Sequence, residues 1–299
     1  MATESSRTES ILPAAEPDGD VKIADLVAAA RSRLAATPFE ASTREAALIL
    51  GHVLGLSEAG ILARDRDVVV PRDRDRFLAL LERRLSGEPV AYLLGEREFY
   101  GRAFHVDPRV LIPRPETEHL VERVLGLSLP AAPRILDVGT GSGCIAVTLA
   151  HEIEDARVIA SDLAPGALDV AASNVRRHGV EERVALLAGD LTESLRLESL
   201  DLLVSNPPYI DPRDAPDLST EVRDHEPPNA LFSDDAGMEI LARLMRAMKS
   251  LRSGVPVLME FGMGQDRQLR DVAAESPLRL LEIIPDYAGI PRILVLQRR

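Results

Sequence analysis

Apolar residues recur at helical spacing in the first third of the chain. From Val21, they lie three and four positions apart in three successive runs, over 23–34, 45–54 and 73–85. This spacing places the apolar side chains on one face of each helix. The pattern predicts a small helical domain over residues 21–86.

The pattern changes after residue 86. Residues 87–115 contain short β-prone pieces punctuated by Gly95 and Gly101, and prolines interrupt their second half. Glycine marks turns between strands, and proline disfavours a helix. We expect a β-hairpin connector over 87–115 that ends in a stiff loop, followed by a helix from Glu116 to Leu127.

Strands and helices alternate through the remainder of the chain. Seven short apolar segments are candidate strands: 134–138, 157–161, 183–187, 201–205, 255–261, 278–284 and 292–296. Helical runs separate the first five: 144–152, 165–178, a weak one over 192–197, and 237–251. Such alternation indicates a parallel sheet covered on both faces. The last two strands have little helix between them, so we predict an antiparallel hairpin at the sheet edge. We therefore expect an α/β fold with a seven-stranded doubly wound sheet and an antiparallel last strand, over 116–299. This order is typical of class I methyltransferases.

Composition narrows the possible partners. The 299 residues carry a net charge of −13, and both halves are acidic: 13 basic and 17 acidic residues in 1–100, 22 and 31 in 101–299. An acidic surface repels phosphates, so we expect no direct nucleic-acid substrate. No apolar run approaches the roughly 18 residues of a membrane span, so we expect no membrane partner.

The leader and the cysteine content indicate the compartment. Residues 1–20 are rich in Glu, Ser, Pro and Asp and lack the apolar core of a signal peptide, so we expect a disordered tail. Cys144 is the only cysteine, which excludes a disulfide scaffold and a cysteine metal cluster. We expect a cytoplasmic protein without a metal site.

A glycine-rich loop joins the first predicted strand of the sheet to its helix. It comprises Gly139, Thr140, Gly141, Ser142 and Gly143. Glycines allow a tight turn and a close approach of the backbone to a ligand. Asp162 ends the second strand, where it would accept hydrogen bonds from ribose hydroxyls, and Asp190 ends the third, within reach of an adenine amine. The three strand ends predict a nucleoside site without a phosphate-binding lysine or arginine, as S-adenosylmethionine requires. The alternative is a glycine turn with two capping acids.

A rigid turn, Asn206-Pro207-Pro208-Tyr209, follows the fourth strand. Proline cannot continue a parallel strand, so the chain leaves the sheet at the edge where ligands bind. The turn can hold the Asn206 side chain and the Pro207 carbonyl as two acceptors for a planar amino group, with the ring of Tyr209 along it. This predicts methyl transfer to an amide or amine nitrogen. The alternative is a rigid loop with no chemistry.

Further motifs accompany the glycine-rich loop and the Asn206–Tyr209 turn. They are Glu88–Gly95, Glu98–Gly101, Leu111–Glu118, Asp137–Ala146 and His225-Glu226-Pro227. Together with the Asn-Pro-Pro-Tyr turn they closely resemble the HemK/PrmC family, the peptide chain release factor glutamine N5-methyltransferases. The resemblance runs from about residue 21 to the C-terminus.

The resemblance implies a reaction and its residues. The donor would be S-adenosylmethionine, and the acceptor the glutamine of the Gly-Gly-Gln loop of release factors. Residues Gly139–Gly143 and Asp162 would bind the donor, while Asn206–Tyr209 would bind the glutamine. Asn206 would also touch the donor, so we take Asn206, Pro207 and Tyr209 as the catalytic residues.

Other positions have less defined roles. Leu191, after Asp190, would contact adenine, although the family often has an aromatic residue there. Arg114 and Glu116, with Glu118, would lie in the loop between domains and hold the substrate loop; an interdomain ion pair is the alternative. His225 is the only histidine near the motifs that could act as a base.

Two other functions share parts of this sequence. An adenine N6-methyltransferase acting on nucleic acid uses the same turn, but the acidity of both halves opposes it. A ribosome- or factor-binding module with a vestigial enzyme is the other possibility, and the intact cofactor loop opposes that. We expect a monomer, since nothing in the sequence demands a multimer.

Overall fold

The computed structural model describes residues 20–37, 44–193 and 195–299. The tail predicted over 1–20 lies outside the described residues, apart from Asp20. The chain divides into two compact units, Met1–Leu94 and Gly95–Arg299. Within the described ranges, no helix combines the length and the apolar composition needed to cross a bilayer.

The described part of the first unit, 20–37 and 44–94, contains five helices. They are α1 (Ile23–Ala35), α2 (Glu45–Leu54), α3 (Glu58–Ala63), α4 (Pro71–Leu85) and α5 (Val90–Leu94). Their apolar faces share one core, centred on residues such as Leu26, Ile49 and Phe77. The expectation of β structure before Gly95 was wrong at α5, where Tyr92 and Leu93 are buried on a short helical turn.

The second unit begins with a hairpin and a helix. Strands β1 (Glu96–Phe99) and β2 (Arg102–His105) pair antiparallel, and α6 spans Pro115–Leu125. Tyr100 and Gly101 form the tight turn with φ of 52° and 70°. The predicted hairpin is therefore present, and it belongs to the second unit.

The large sheet has seven strands: β3 (Arg134–Val138), β4 (Arg157–Asp162), β5 (Val184–Ala188), β6 (Leu202–Ser205), β7 (Pro256–Glu260), β8 (Leu278–Pro285) and β9 (Pro291–Arg298). Their spatial order is β5-β4-β3-β6-β7-β9-β8, and β9 runs antiparallel to both of its neighbours. The predicted fold class is confirmed.

Helices cover both faces of this sheet. In chain order the remaining helices are α7 (Cys144–Glu152), α8 (Pro165–Arg177), α9 (Thr220–His225), α10 (Pro228–Leu231), α11 (Asp234–Gly237), α12 (Glu239–Ala247) and α13 (Asp266–Glu275). Helices α6, α7 and α8 share the core on one face, and α12 and α13 share the core on the other. Neighbouring residues of a strand belong to opposite cores, as Ile135 and Leu136 of β3 do. This is why the strands are apolar throughout.

Three helical segments differ from expectation. The weak helix predicted over 192–197 is replaced, in its described part, by a turn and a 3-10 helix, Leu197–Ser199. Helix α12 begins at Glu239 and not at the predicted Gly237, because Gly237 has a φ of 78°. Helix α13 was missed because it buries only Leu269 and Ala273, too few positions for a clear period.

A buried amide joins the hairpin to the glycine loop. The Nδ2 atom of Asn174, on α8, donates to the carbonyl oxygens of His105 at 2.9 Å and Ser142 at 2.8 Å. Its Oδ1 atom accepts from the His105 amide at 2.7 Å. Asn174 is completely buried, so these bonds are not exchanged with water. The hairpin and the loop are therefore fixed to the same helix.

We predict that Asn174→Asp lowers the free energy of unfolding by about 2–4 kcal/mol, because two buried carbonyls lose their donors and face a carboxylate. Urea unfolding followed by circular dichroism measures this, since the chain has no tryptophan. Asn229→Asp, at an exposed position, is the control. Equal stability of the two variants would contradict the bridging role.

Candidate active site

A cleft opens at the carboxyl ends of β3, β4, β5 and β6. The strand ends that line it include Val138, Ser161, Gly189 and Ser205, and its free volume is about 1120 Å³ with the open mouth. The chain passes from β3 to β4 on one side and later returns to β6 on the other. Doubly wound sheets bind ligands at such a reversal of strand order.

The glycine loop forms one wall of this cleft. Gly139 and Gly141 line it, together with Thr140 and Ser142. Gly139, Gly141 and Gly143 all have positive φ, which other residues rarely adopt. Gly143 does not line the cleft: a Cβ there would lie 3.3 Å from the Cβ of Ala171, so this glycine permits the close packing of α8.

The two acids at the loop have different environments. Asp162 lies at the cleft, where its Oδ2 accepts from the Gly141 amide and its Oδ1 from the Ala164 amide, both at 2.9 Å. Each oxygen keeps a second lone pair for a ligand hydroxyl. Asp137 is completely buried and accepts from the Thr140 hydroxyl at 2.6 Å. Burial, aided by the charge of Asp162, raises the pKa of Asp137 to about 7.

The end of β5 carries an ion pair that the sequence did not predict. Asp190 Oδ2 accepts from Arg243 Nη2 at 2.6 Å, and both residues line the cleft beside Leu191. One carboxylate oxygen of Asp190 thus has a partner within the protein.

The sequence predicted no phosphate-binding arginine at this site, and the arginines that are present contact acidic side chains. Three arginines line the cleft, and each contacts a carboxylate: Arg109–Asp107 at 2.6 Å, Arg114–Glu226 at 2.5 Å and Arg243–Asp190 at 2.6 Å. Since each positive charge is offset by a neighbouring negative one, the cleft is not a phosphate site.

The Asn206–Tyr209 turn separates the cleft from a second cavity. Asn206, Pro207 and Pro208 line both spaces, while Tyr209 lines the second, whose free volume is about 860 Å³. Arg114 lines both spaces and Glu116 the second. All the residues predicted to bind substrate therefore line the second cavity, and Tyr209 and Glu116 line that cavity alone.

Tyr209 is held from three sides. Its hydroxyl donates to Glu260 Oε1 at 3.0 Å, and its carbonyl accepts from Gln265 Nε2 at 2.8 Å. Gly237 approaches so closely that a Cβ there would lie 2.1 Å from the Tyr209 carbonyl oxygen. Burial raises the pKa of Tyr209, so its hydroxyl remains a donor.

Asn206 is held by two residues that sequence reasoning missed. Its Nδ2 donates to Thr117 Oγ1 at 3.1 Å, and Thr117 Oγ1 donates to Glu260 Oε2 at 2.7 Å. Glu260 ends the apolar strand β7, and burial raises its pKa. In the sequence, Glu260 is the only charged residue of the apolar strand β7, and this feature could have identified it as a site residue.

The segment around Arg114 departs from the predicted interdomain loop. Glu116 and Glu118 lie in the first turn of α6, and Glu118 accepts from the Tyr100 amide at 2.9 Å. Arg114 contacts Glu226 of the same unit at 2.5 Å. Glu226 also accepts from the Ile112 amide at 3.2 Å, and burial raises its pKa. The sequence drew attention to its neighbour His225 instead, which lines neither cavity.

The described residues do not support nucleophilic catalysis by the cysteine or metal catalysis at this site. Burial raises the pKa of Cys144 to about 12, so its thiol is a poor nucleophile. Across the described ranges, no group of three or more His, Cys, Asp or Glu side chains is placed to hold a metal ion.

Comparison with known proteins identifies the family. The PrmC N-terminal domain model matches residues 25–95, and the methyltransferase small domain model matches 117–223. The release factor glutamine methyltransferase of Nitratidesulfovibrio vulgaris is 43% identical over 90% of this chain and 92% of its own. That of Bordetella pertussis is 46% identical over 83% and 92%. The chain belongs to the release factor glutamine methyltransferase family.

A solved structure supports the fold alone. A methyltransferase from Pyrococcus furiosus, 16% identical, aligns with a TM-score of 0.51 over 67% of this chain and 90% of its own. Since the two sequences differ so much, the resemblance extends to the α/β methyltransferase architecture and no further.

The raised pKa of Asp137 makes stability depend on pH. The native carboxyl binds its proton more tightly than the unfolded one, with a pKa of about 7 against 3.8, so its contribution falls as pH rises through this interval. We expect wild type to lose about 2 kcal/mol of unfolding free energy relative to Asp137→Asn between about pH 5.5 and pH 8.

Urea unfolding of both proteins at the two pH values measures this difference. Asp271→Asn, on the exposed surface of α13, controls for the loss of a charge. A difference between wild type and Asp137→Asn that does not change with pH would show that Asp137 is ionised throughout.

Proposed function

We propose that this enzyme transfers a methyl group from S-adenosylmethionine to the side-chain amide nitrogen, N5, of the glutamine in the Gly-Gly-Gln motif of peptide chain release factors. Membership of the family supports the reaction class. The observation that carries the proposal is that Asn206 and Pro207 form the common wall of two cavities. A donor on one side and an acceptor on the other would meet at this wall.

The residues of the first cleft fit the proposed donor. A Cβ on Gly141 would meet no other group within 4 Å, so the loop leaves open space beside its backbone. The Asp162 carboxylate suits ribose hydroxyls, and Leu163, 65% exposed at the cleft, offers an apolar surface to a base. When bound, S-adenosylmethionine supplies an electrophilic methyl group on a positively charged sulfur.

The turn fits a planar amide as acceptor. The lone pair of an amide nitrogen is delocalised, so attack requires the nitrogen to pyramidalise. The Oδ1 atom of Asn206 and the carbonyl of Pro207 are two fixed acceptors for its N–H groups and favour that geometry. Tyr209 provides a ring held in one orientation beside them. The methylated nitrogen releases one proton to water afterwards, so no strong base is needed and His225 has no role in the proposal.

The proposal also assigns the domains and the setting. The helical domain, 21–86, would recognise the release factor, the connector, 87–115, would present the hairpin, and residues 116–299 would catalyse transfer. The acidic charge of both halves supports a protein substrate over nucleic acid. We infer that the enzyme acts in the cytoplasm as a monomer.

Two substitutions should separate donor binding from turnover. Asn206→Ala removes one acceptor and should lower kcat about 100-fold or more, with a smaller effect on donor affinity. Asp162→Ala removes the ribose acceptor and the support of Gly141, so it should weaken donor binding first. Calorimetry with S-adenosylmethionine and steady-state kinetics measure the two quantities. Near-normal turnover of Asn206→Ala would remove Asn206 from the mechanism, and unchanged donor affinity of Asp162→Ala would remove Asp162 from the donor site.

Mass spectrometry tests the substrate directly. Purified release factor is incubated with the enzyme and a donor carrying a labelled methyl group, and the modified residue is located by fragmentation. We expect the label on the glutamine of Gly-Gly-Gln. Transfer to adenine in DNA or RNA, with none to the release factor, would favour the nucleic-acid methyltransferase instead.

A further inference from the structure

A chain of three hydrogen bonds lies behind the Asn206–Tyr209 turn. Asn206 Nδ2 contacts Thr117 Oγ1, Thr117 Oγ1 contacts Glu260 Oε2, and the Tyr209 hydroxyl contacts Glu260 Oε1, at 3.1, 2.7 and 3.0 Å. Thr117 and Glu260 are each only 2% exposed. Water therefore does not compete for these groups, and the protein alone sets the direction of each bond.

The carboxylate determines that direction. In the structure the Thr117 hydroxyl donates to Glu260 Oε2 and the Tyr209 hydroxyl donates to Oε1, so both carboxyl oxygens act as acceptors. A hydroxyl has a single hydrogen, and that of Thr117 is donated to Glu260. Its oxygen can therefore only accept from Asn206, which must present Nδ2 to it and not Oδ1.

We propose that Glu260 and Thr117 are positioning residues that fix the amide orientation of Asn206, so that Oδ1 faces the acceptor nitrogen. The proposal rests on the proposed function, in which Asn206 binds the N–H of a glutamine. The two ends of an asparagine amide have nearly the same shape, and packing alone does not distinguish them. A rotated Asn206 would direct its own N–H groups at those of the substrate, and the turn would lose one of its two acceptors.

Thr117 offers a sharp test: it lines the donor cleft with only 2% of its surface exposed, and in the proposal it acts through Asn206. Thr117→Val keeps the shape but removes the acceptor for Nδ2. We expect kcat to fall about 10- to 100-fold, as for loss of one hydrogen bond in a charged network, while donor affinity stays within about twofold. Thr117→Ser retains the hydroxyl and should restore most of the activity.

Thr148 supplies a matched control. It is completely buried on α7, and within the described ranges its hydroxyl has no hydrogen-bond partner. Thr148→Val makes the same chemical change in a comparable environment, and kcat should stay within about twofold of wild type. If Thr117→Val behaves like Thr148→Val, or if it lowers donor affinity and melting temperature as much as kcat, the positioning role is wrong.

Glu260→Gln gives a second, isosteric variant in case Thr117→Val does not fold. The glutamine NH2 would face either Thr117 or Tyr209, so one hydroxyl would lose its acceptor. We expect kcat to fall about 10-fold or more with little change in KM. Glu275→Gln, at an exposed position at the end of α13, is its control. Unchanged kcat in Glu260→Gln would overturn the proposal.

The same assays separate this inference from the proposed function. Wild-type enzyme that transfers no methyl group to release factor contradicts the proposed function. Active wild type together with active Thr117→Val contradicts only the orientation of Asn206 by Thr117.

Discussion

The site depends on a buried carboxylate at the end of β7. Glu260 is almost inaccessible to water, and a buried charge is costly unless hydrogen-bond donors surround it. Thr117 and Tyr209 supply those donors, and each belongs to a different segment, α6 and the turn after β6. Glu260 therefore connects β7, α6 and the Asn206–Tyr209 turn by hydrogen bonds. The rigidity of the turn depends on these bonds.

The prolines and the network act on the same turn in different ways. Pro207 and Pro208 fix φ and end the strand, which brings the turn to the ligand-binding edge of the sheet. They do not determine how the Asn206 side chain is rotated about its last bond. That choice depends on hydrogen bonds, and the closeness of Gly237 to the Tyr209 carbonyl leaves the backbone little room to adjust.

The pairing of charges in the cleft disfavours a phosphate ligand. The arginines at the cleft each contact an acid, so little free positive charge faces a ligand. Asp162 keeps lone pairs available beside the glycine loop, and Asp137 lies beneath that loop with a raised pKa.

Local patterns were sufficient to predict much of this molecule. The strands of the large sheet, the helix Cys144–Glu152 and the positions of the glycine loop and the turn follow from apolar period and from proline and glycine chemistry. The contacts that complete the site join residues far apart in sequence: Thr117 and Glu260 are separated by 143 positions, and Asp190 and Arg243 by 53. No local pattern encodes such pairs. Short or weakly apolar helices, α5 and α13, were missed because they bury too few residues to produce a period.

The contacts of the substrate glutamine would be seen in a structure of the enzyme bound to S-adenosylhomocysteine and a peptide containing Gly-Gly-Gln. The account predicts that the glutamine amide nitrogen lies within hydrogen-bond distance, about 3 Å, of both Asn206 Oδ1 and the Pro207 carbonyl oxygen. It also predicts that Asn206 Nδ2 still contacts Thr117. A glutamine whose amide oxygen faces Asn206, or whose nitrogen lies away from the turn, would contradict it.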